Sequence, residues 1–176
     1  MFKIKLYLKN NLLKGLKTPP TNLPLKSVIL IPFYIIFTLF VGFNTNLLEY
    51  KPITSYMVFI LPISLFIFPT LLEEVFFRGV LIPYNLKYKS FKIIIFYIFI
   101  STILYTSIHL IYASINPISA IYFTNINFLS IVFFLGFTCS IAYIYSQSLW
   151  LSVIIHWITV LVWVVVLNGR NLILEG

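Results

Sequence analysis

Polar residues come in short clusters along this chain, and long apolar runs separate them. A membrane-spanning helix takes about 20 consecutive, mostly apolar residues. Five stretches meet or approach that requirement, at 27–43, 55–83, 91–113, 128–147 and 148–168. The first is short and holds Pro32, whereas the second is long enough to tilt or bend, with Pro62 and Pro69 as places for a kink. Residues 116–127, "NPISAIYFTNIN", are too few and too polar at their ends to span, which suits a re-entrant or interfacial piece; a sixth span there would reverse the carboxyl end. The pattern contains no repeat, low-complexity tract or second soluble domain. The expected fold is all-α, a polytopic transmembrane helical bundle of about five to six spans. Residues 1–26 form a basic amino-terminal segment, 27–168 the bundle and 169–176 a carboxyl-terminal tail.

Within the apolar runs the polar residues are ordered by helical spacing. The third run carries Ser101, Thr102, Tyr105, Thr106 and His109 on one face, the fourth Gly136, Ser140, Tyr143 and Gln147, and the fifth Ser152, His156, Thr159 and Trp163. Such faces are expected to look into the bundle and not at lipid, so three helices can line a polar interior.

Composition supports the membrane assignment. The chain is 61% hydrophobic and only 9% charged, more apolar than a soluble domain of this size can bury. Its net charge of +8 comes mainly from lysine clusters, Lys3 to Lys26 before the first run and Lys87, Lys89 and Lys92 between the second and third. Both clusters are cytoplasmic by the positive-inside rule, which puts the amino terminus inside and, with five spans, the carboxyl terminus outside. The basic charge thus speaks to topology and membrane lipid, and no basic-aromatic interleaving suggests nucleic acid. Cys139 is the single cysteine and can form no intramolecular disulfide. The lysine-bearing start lacks a short apolar core with a small-residue cleavage site, so no cleaved signal peptide is expected.

Ionisable residues in spans are costly and mark function by default. Five fall in these runs: Glu73, Glu74, Arg78, His109 and His156. On a helix Glu74 and Arg78 lie about 40° apart around the axis, close enough to pair, whereas Glu73 points about 140° away from Arg78. Two neighbouring acids therefore receive different environments. Glu73 becomes a candidate general base facing the histidines; the alternative is a buried polar clamp that holds helices together. The depths match only in part, because His109 is roughly 25 Å up its helix while Glu73 and His156 are roughly 11–15 Å from the cytoplasmic ends.

These residues resemble the CAAX-protease and bacteriocin-processing (CPBP, or Abi) family of intramembrane proteases. The resemblance rests on E-E-x-x-x-R at Glu73 to Arg78, an aromatic-x-x-x-His in "YTSIH" ending at His109, and a last motif opening at His156 in "HWITV". It implies peptide-bond hydrolysis within the membrane. By this resemblance Glu73 and His109 activate a water, His156 stabilises the oxyanion, and Arg78 with Glu74 holds the site in shape. A zinc version is also physically sensible, with Glu73, His109 and His156 as three ligands and a fourth position for water; water activation without a metal is the version favoured here. The chain departs from the family pattern at Val160, where the last motif commonly has a polar residue; Thr159 is the nearest stand-in, about 100° round the helix. Tyr105 stands where Phe is usual and adds a hydroxyl.

The leading expectation is an intramembrane endopeptidase acting on a membrane-embedded or membrane-proximal peptide, of a prenylated CAAX type or bacteriocin-like. Val160 instead favours a non-catalytic immunity or self-protection protein of the same fold. A proton-linked transporter or channel is a third class, against which the lack of a repeat counts.

Overall fold

The structure is a computed structural model that describes residues 2–21 and 23–169. Its helices are α1 (Phe2–Lys17), α2 (Leu25–Asn44), α3 (Met57–Val80), α4 (Phe91–Ile115), α5 (Pro117–Phe123), α6 (Ile126–Ser146) and α7 (Leu149–Val165). Four of these, α2, α3, α4 and α6, are long and apolar enough to cross a membrane. At 17 residues α7 is shorter, about 25 Å, yet equally apolar. The five expected spans are thus all present as helices. Residues 117–123 make only seven residues of helix, so the region between α4 and α6 contributes a short packed piece and no sixth span. Of the tail at 169–176, only Gly169 lies among the described residues.

Lipid-facing and inward-facing residues separate cleanly on α4. Ile103, Leu104, Ile108 and Ile111 are exposed, whereas Ser101, Thr102 and Tyr105 are buried. The polar stripe faces the interior, as its spacing predicts. α6 is the central helix and packs against α2, α4 and α7. Its inward residues include Gly136, Cys139, Ser140, Ala142 and Tyr143, all buried. Small residues let the helices approach closely, which substitutes for the hydrophobic driving force absent within lipid.

α3 is not a regular helix. Phe68 has φ −134° and ψ 127°, an extended residue within Phe66–Leu71 that breaks the helix just before Pro69, and the helix widens into π-helical geometry further on, at Val75–Val80. Proline at 69 removes a backbone donor and clashes with the preceding turn, which accounts for the break. Pro62 lies inside regular helix, and its carbonyl accepts the indole N–H of Trp157 at 2.9 Å. The break aims the segment carrying Glu73, Glu74 and Arg78 into the space bounded by α4, α6 and α7.

The amino-terminal segment is more than a basic leader. α1 packs across the ends of α3 and α7. Asn11 is buried, donates to the Gly79 and Ile82 carbonyls at 2.9 and 2.8 Å, and accepts from the Tyr84 backbone N–H. These bonds satisfy backbone groups left over at the end of α3. Trp150 Nε1 reaches the Leu16 carbonyl at 2.7 Å and Ser148 Oγ the Thr18 carbonyl at 2.7 Å, tying the same segment to the start of α7. At the other end of the bundle, the loop between α2 and α3 hydrogen-bonds the end of α7 through Lys51 N to Val166 O and Ile53 N to Val165 O.

Candidate active site

Glu74, Arg78 and His156 form one buried hydrogen-bonded unit. Arg78 and Glu74 are fully buried, and Arg78 NH1 lies 3.0 Å from Glu74 Oε1. The same oxygen accepts from His156 Nδ1 at 2.9 Å. Arg78 NH2 continues to the Gly136 carbonyl of α6 at 2.8 Å, and the guanidinium carbon lies 4.7 Å from the Tyr105 ring centre. The i,i+4 pairing expected from sequence is thus present, extended by partners on α4, α6 and α7. A buried carboxylate holds its charge only when paired and hydrogen-bonded, and Glu74 has both.

Glu73 is placed differently. Its side chain is 24% exposed and makes no ion pair with Arg78; its Oε2 lies 3.9 Å from His156 Nε2. That oxygen is buried and has no hydrogen-bond partner. Glu73 is therefore an acceptor with unused capacity beside an imidazole, while Oε1 of its neighbour already carries two structural bonds.

The two histidines carry assignable protons. His156 Nδ1 faces a carboxylate oxygen, which can only accept, so that nitrogen holds a proton, and it is at Nε2 that the neutral tautomer has its lone pair. There it meets the Tyr105 hydroxyl at 3.2 Å. His109 Nδ1 likewise donates to the Tyr105 carbonyl at 3.0 Å, which leaves its Nε2 as an acceptor. The His109 ring packs against Tyr105, Phe123 and Phe128, with ring centres 5.3, 5.1 and 6.3 Å away.

Tyr105 lies between the two imidazoles, with its ring centre 5.7 Å from that of His156. Tyr105, one turn nearer the acids than His109, makes the direct bond to His156, and His109 adjoins the cluster through the Tyr105 ring. Gly136 allows this packing, because a Cβ there would come within 2.7 Å of Tyr105 Cδ1. Ser101 fixes α4 against α3 through a 2.8 Å bond to the Phe77 carbonyl.

Two predicted positions stand apart from the cluster. Thr159 donates to the Ile155 carbonyl of its own helix at 2.9 Å. Val160 packs beside Leu61, Leu65 and Val164 in an apolar patch. Among the described residues no three His, Cys, Asp or Glu side chains gather as a metal-binding group. With both His156 nitrogens already engaged, the set Glu73, His109 and His156 does not fit zinc in this arrangement, and no step below is routed through one.

Sequence reasoning found the acids, the arginine and both histidines but missed the Gly136 carbonyl and the docking of Asn11. Backbone acceptors leave no signal in a sequence. Asn11, a polar residue in an otherwise amphipathic lysine-rich helix, was the one visible hint.

No curated protein and no solved structure matches the chain. The model of the family described as type II CAAX prenyl endopeptidase Rce1-like matches residues 54–162, which hold α3 to α6 and most of α7 with every residue of the cluster, and the chain belongs to that family.

Proposed function

We propose that this chain is an intramembrane endopeptidase that hydrolyses a peptide bond in a membrane-embedded or membrane-proximal substrate. Family membership supports protease chemistry. The observation that carries the proposal is the inequality of the two acids: Glu74 Oε1 carries bonds to both Arg78 and His156, whereas the partly exposed Glu73 makes no hydrogen bond and its Oε2 stands 3.9 Å from His156 Nε2. A general base needs an acceptor within reach of water and a surrounding that keeps it in place. Glu73 accepts the proton of a water, assisted by the free Nε2 of His109, and the water oxygen attacks the substrate carbonyl. His156, locked in one tautomer by Glu74, lines the same spot. Glu74 and Arg78 hold the geometry and stay out of the chemistry. By family, a peptide with a prenylated carboxyl-terminal cysteine motif is the first substrate to try; a bacteriocin-like peptide is the second.

The test is cleavage by the purified protein in proteoliposomes. Glu73→Gln, His109→Ala and His156→Ala are expected to lower the rate by 10²-fold or more, the scale of general acid-base catalysis, while the protein stays folded. Full activity in all three variants overturns the proposal.

One observation favours a second reading, a non-catalytic immunity or self-protection protein of the same fold. Val160 sits in an apolar patch, and His156 is saturated by Glu74 and Tyr105 as a purely structural residue would be. Glu73→Gln separates the two in cells, because a binder tolerates that nearly isosteric change and a protease does not.

A further inference from the structure

Peptide hydrolysis needs a hydrogen-bond donor where negative charge develops on the carbonyl oxygen. Building on the protease reading above, the hydrogen bonds on this chain identify a donor other than His156. In the neutral ring of His156 the proton sits on Nδ1, against Glu74, and Nε2 offers only a lone pair. The atom that meets that lone pair, 3.2 Å away, is the Tyr105 hydroxyl, which must therefore donate. The unpartnered Glu73 Oε2 lies 3.9 Å from the same nitrogen, so base and hydroxyl converge on one point. Thr159 has its hydroxyl proton on the Ile155 carbonyl of its own helix, and Val160, in an apolar cluster, has no proton to donate.

We infer that the Tyr105 hydroxyl is the oxyanion donor of this enzyme, held ready by His156 as its acceptor. Its support is firm on every side. The ring is 1% exposed and packs under the Arg78 guanidinium, against Phe77 and over the bare Cα of Gly136. As water attacks the carbonyl carbon, the C=O π pair moves to oxygen and Glu73 takes the water proton. The Tyr105 O–H then turns from His156 Nε2 to the new oxyanion without losing its proton. When the intermediate collapses, the oxygen pair re-forms the carbonyl, the C–N bond breaks, and the proton on Glu73 passes to the leaving amine.

Tyr105→Phe tests this, since it removes one oxygen and keeps the ring that packs. The assay is the wild type, Tyr105→Phe and Glu73→Gln in proteoliposomes with an internally quenched farnesylated CAAX peptide as probe. The expected result is a kcat for Tyr105→Phe lower by about 10²–10³-fold, the range for deletion of an oxyanion donor. KM stays near the wild-type value and the variant stays folded at the assay temperature, its unfolding midpoint lowered by the loss of the one bond to His156, whereas a merely structural role for the hydroxyl would lower the midpoint without a selective loss of kcat. Should Tyr105→Phe keep its kcat within threefold while Glu73→Gln is inactive, the donor assignment is wrong and the protease reading stands. Equal activity of Glu73→Gln and wild type overturns both.

Discussion

Replacing Arg78 by Met tests the central claim about how charge is held inside this bundle. The substitution conserves much of the stem and removes the partner of a fully buried carboxylate, together with the bond to the Gly136 carbonyl. Breaking a buried pair by deleting one member costs about 3–5 kcal/mol, because the survivor is left uncompensated. The double variant Glu74→Gln/Arg78→Met has no orphan charge, and it is expected to be more stable than Arg78→Met at pH 8. Unfolding in mixed micelles, followed by the fluorescence of Trp150, Trp157 and Trp163, measures all three. A loss below 1 kcal/mol for Arg78→Met at pH 8, or a double variant no better than the single one, refutes the reasoning.

Two further outcomes are expected. Asn11→Ala strands the Gly79 and Ile82 carbonyls and the Tyr84 N–H, and should destabilise by about 1–3 kcal/mol, read as the same micellar unfolding midpoint; an unchanged midpoint means that α1 is dispensable to the bundle. The orientation proposed from the lysine clusters is checked by a membrane-impermeant thiol reagent on intact cells, which should label Tyr56→Cys but not Lys14→Cys. Cys139 is fully buried and gives little background.

Much of the fold was legible because membrane helices announce themselves by length and apolarity, and the five runs became five helices with ends shifted by a few residues. The inward faces were equally legible, since Ser101, Thr102 and Tyr105 recur at helical spacing and a polar stripe cannot face lipid. What stayed hidden lay in the relation between helices. Helical spacing placed Arg78 near Glu74 but could not show that Arg78 also reaches Gly136, 58 positions away. Pro62 and Pro69 were both expected places for a kink, and the break falls at Pro69 and not at Pro62, because each proline costs one backbone bond but only tertiary packing decides where the helix bends. Lysines marked residues 1–26 as basic, and that charge masked the buried edge of Asn11 and Gly15.

The polar cluster shows why the site tolerates so much charge in so apolar a place. Arg78, Glu74 and His156 each have a partner on another helix: Arg78 the Gly136 carbonyl, Glu74 the His156 imidazole, and His156 both Glu74 and Tyr105, while Arg78 and Glu74 also pair within α3. Such a network rigidifies its members, since any rotation would strand a buried group. Glu73 is outside it. The energy that fixes Glu74, His156 and Tyr105 is thus spent on orienting the walls around a carboxylate that is itself left free to accept, an arrangement suited to a base. A clamp made only to join helices would have no reason to leave the adjacent acid unpaired. On that ground the two neighbouring glutamates of α3 divide into one that builds the site and one that uses it.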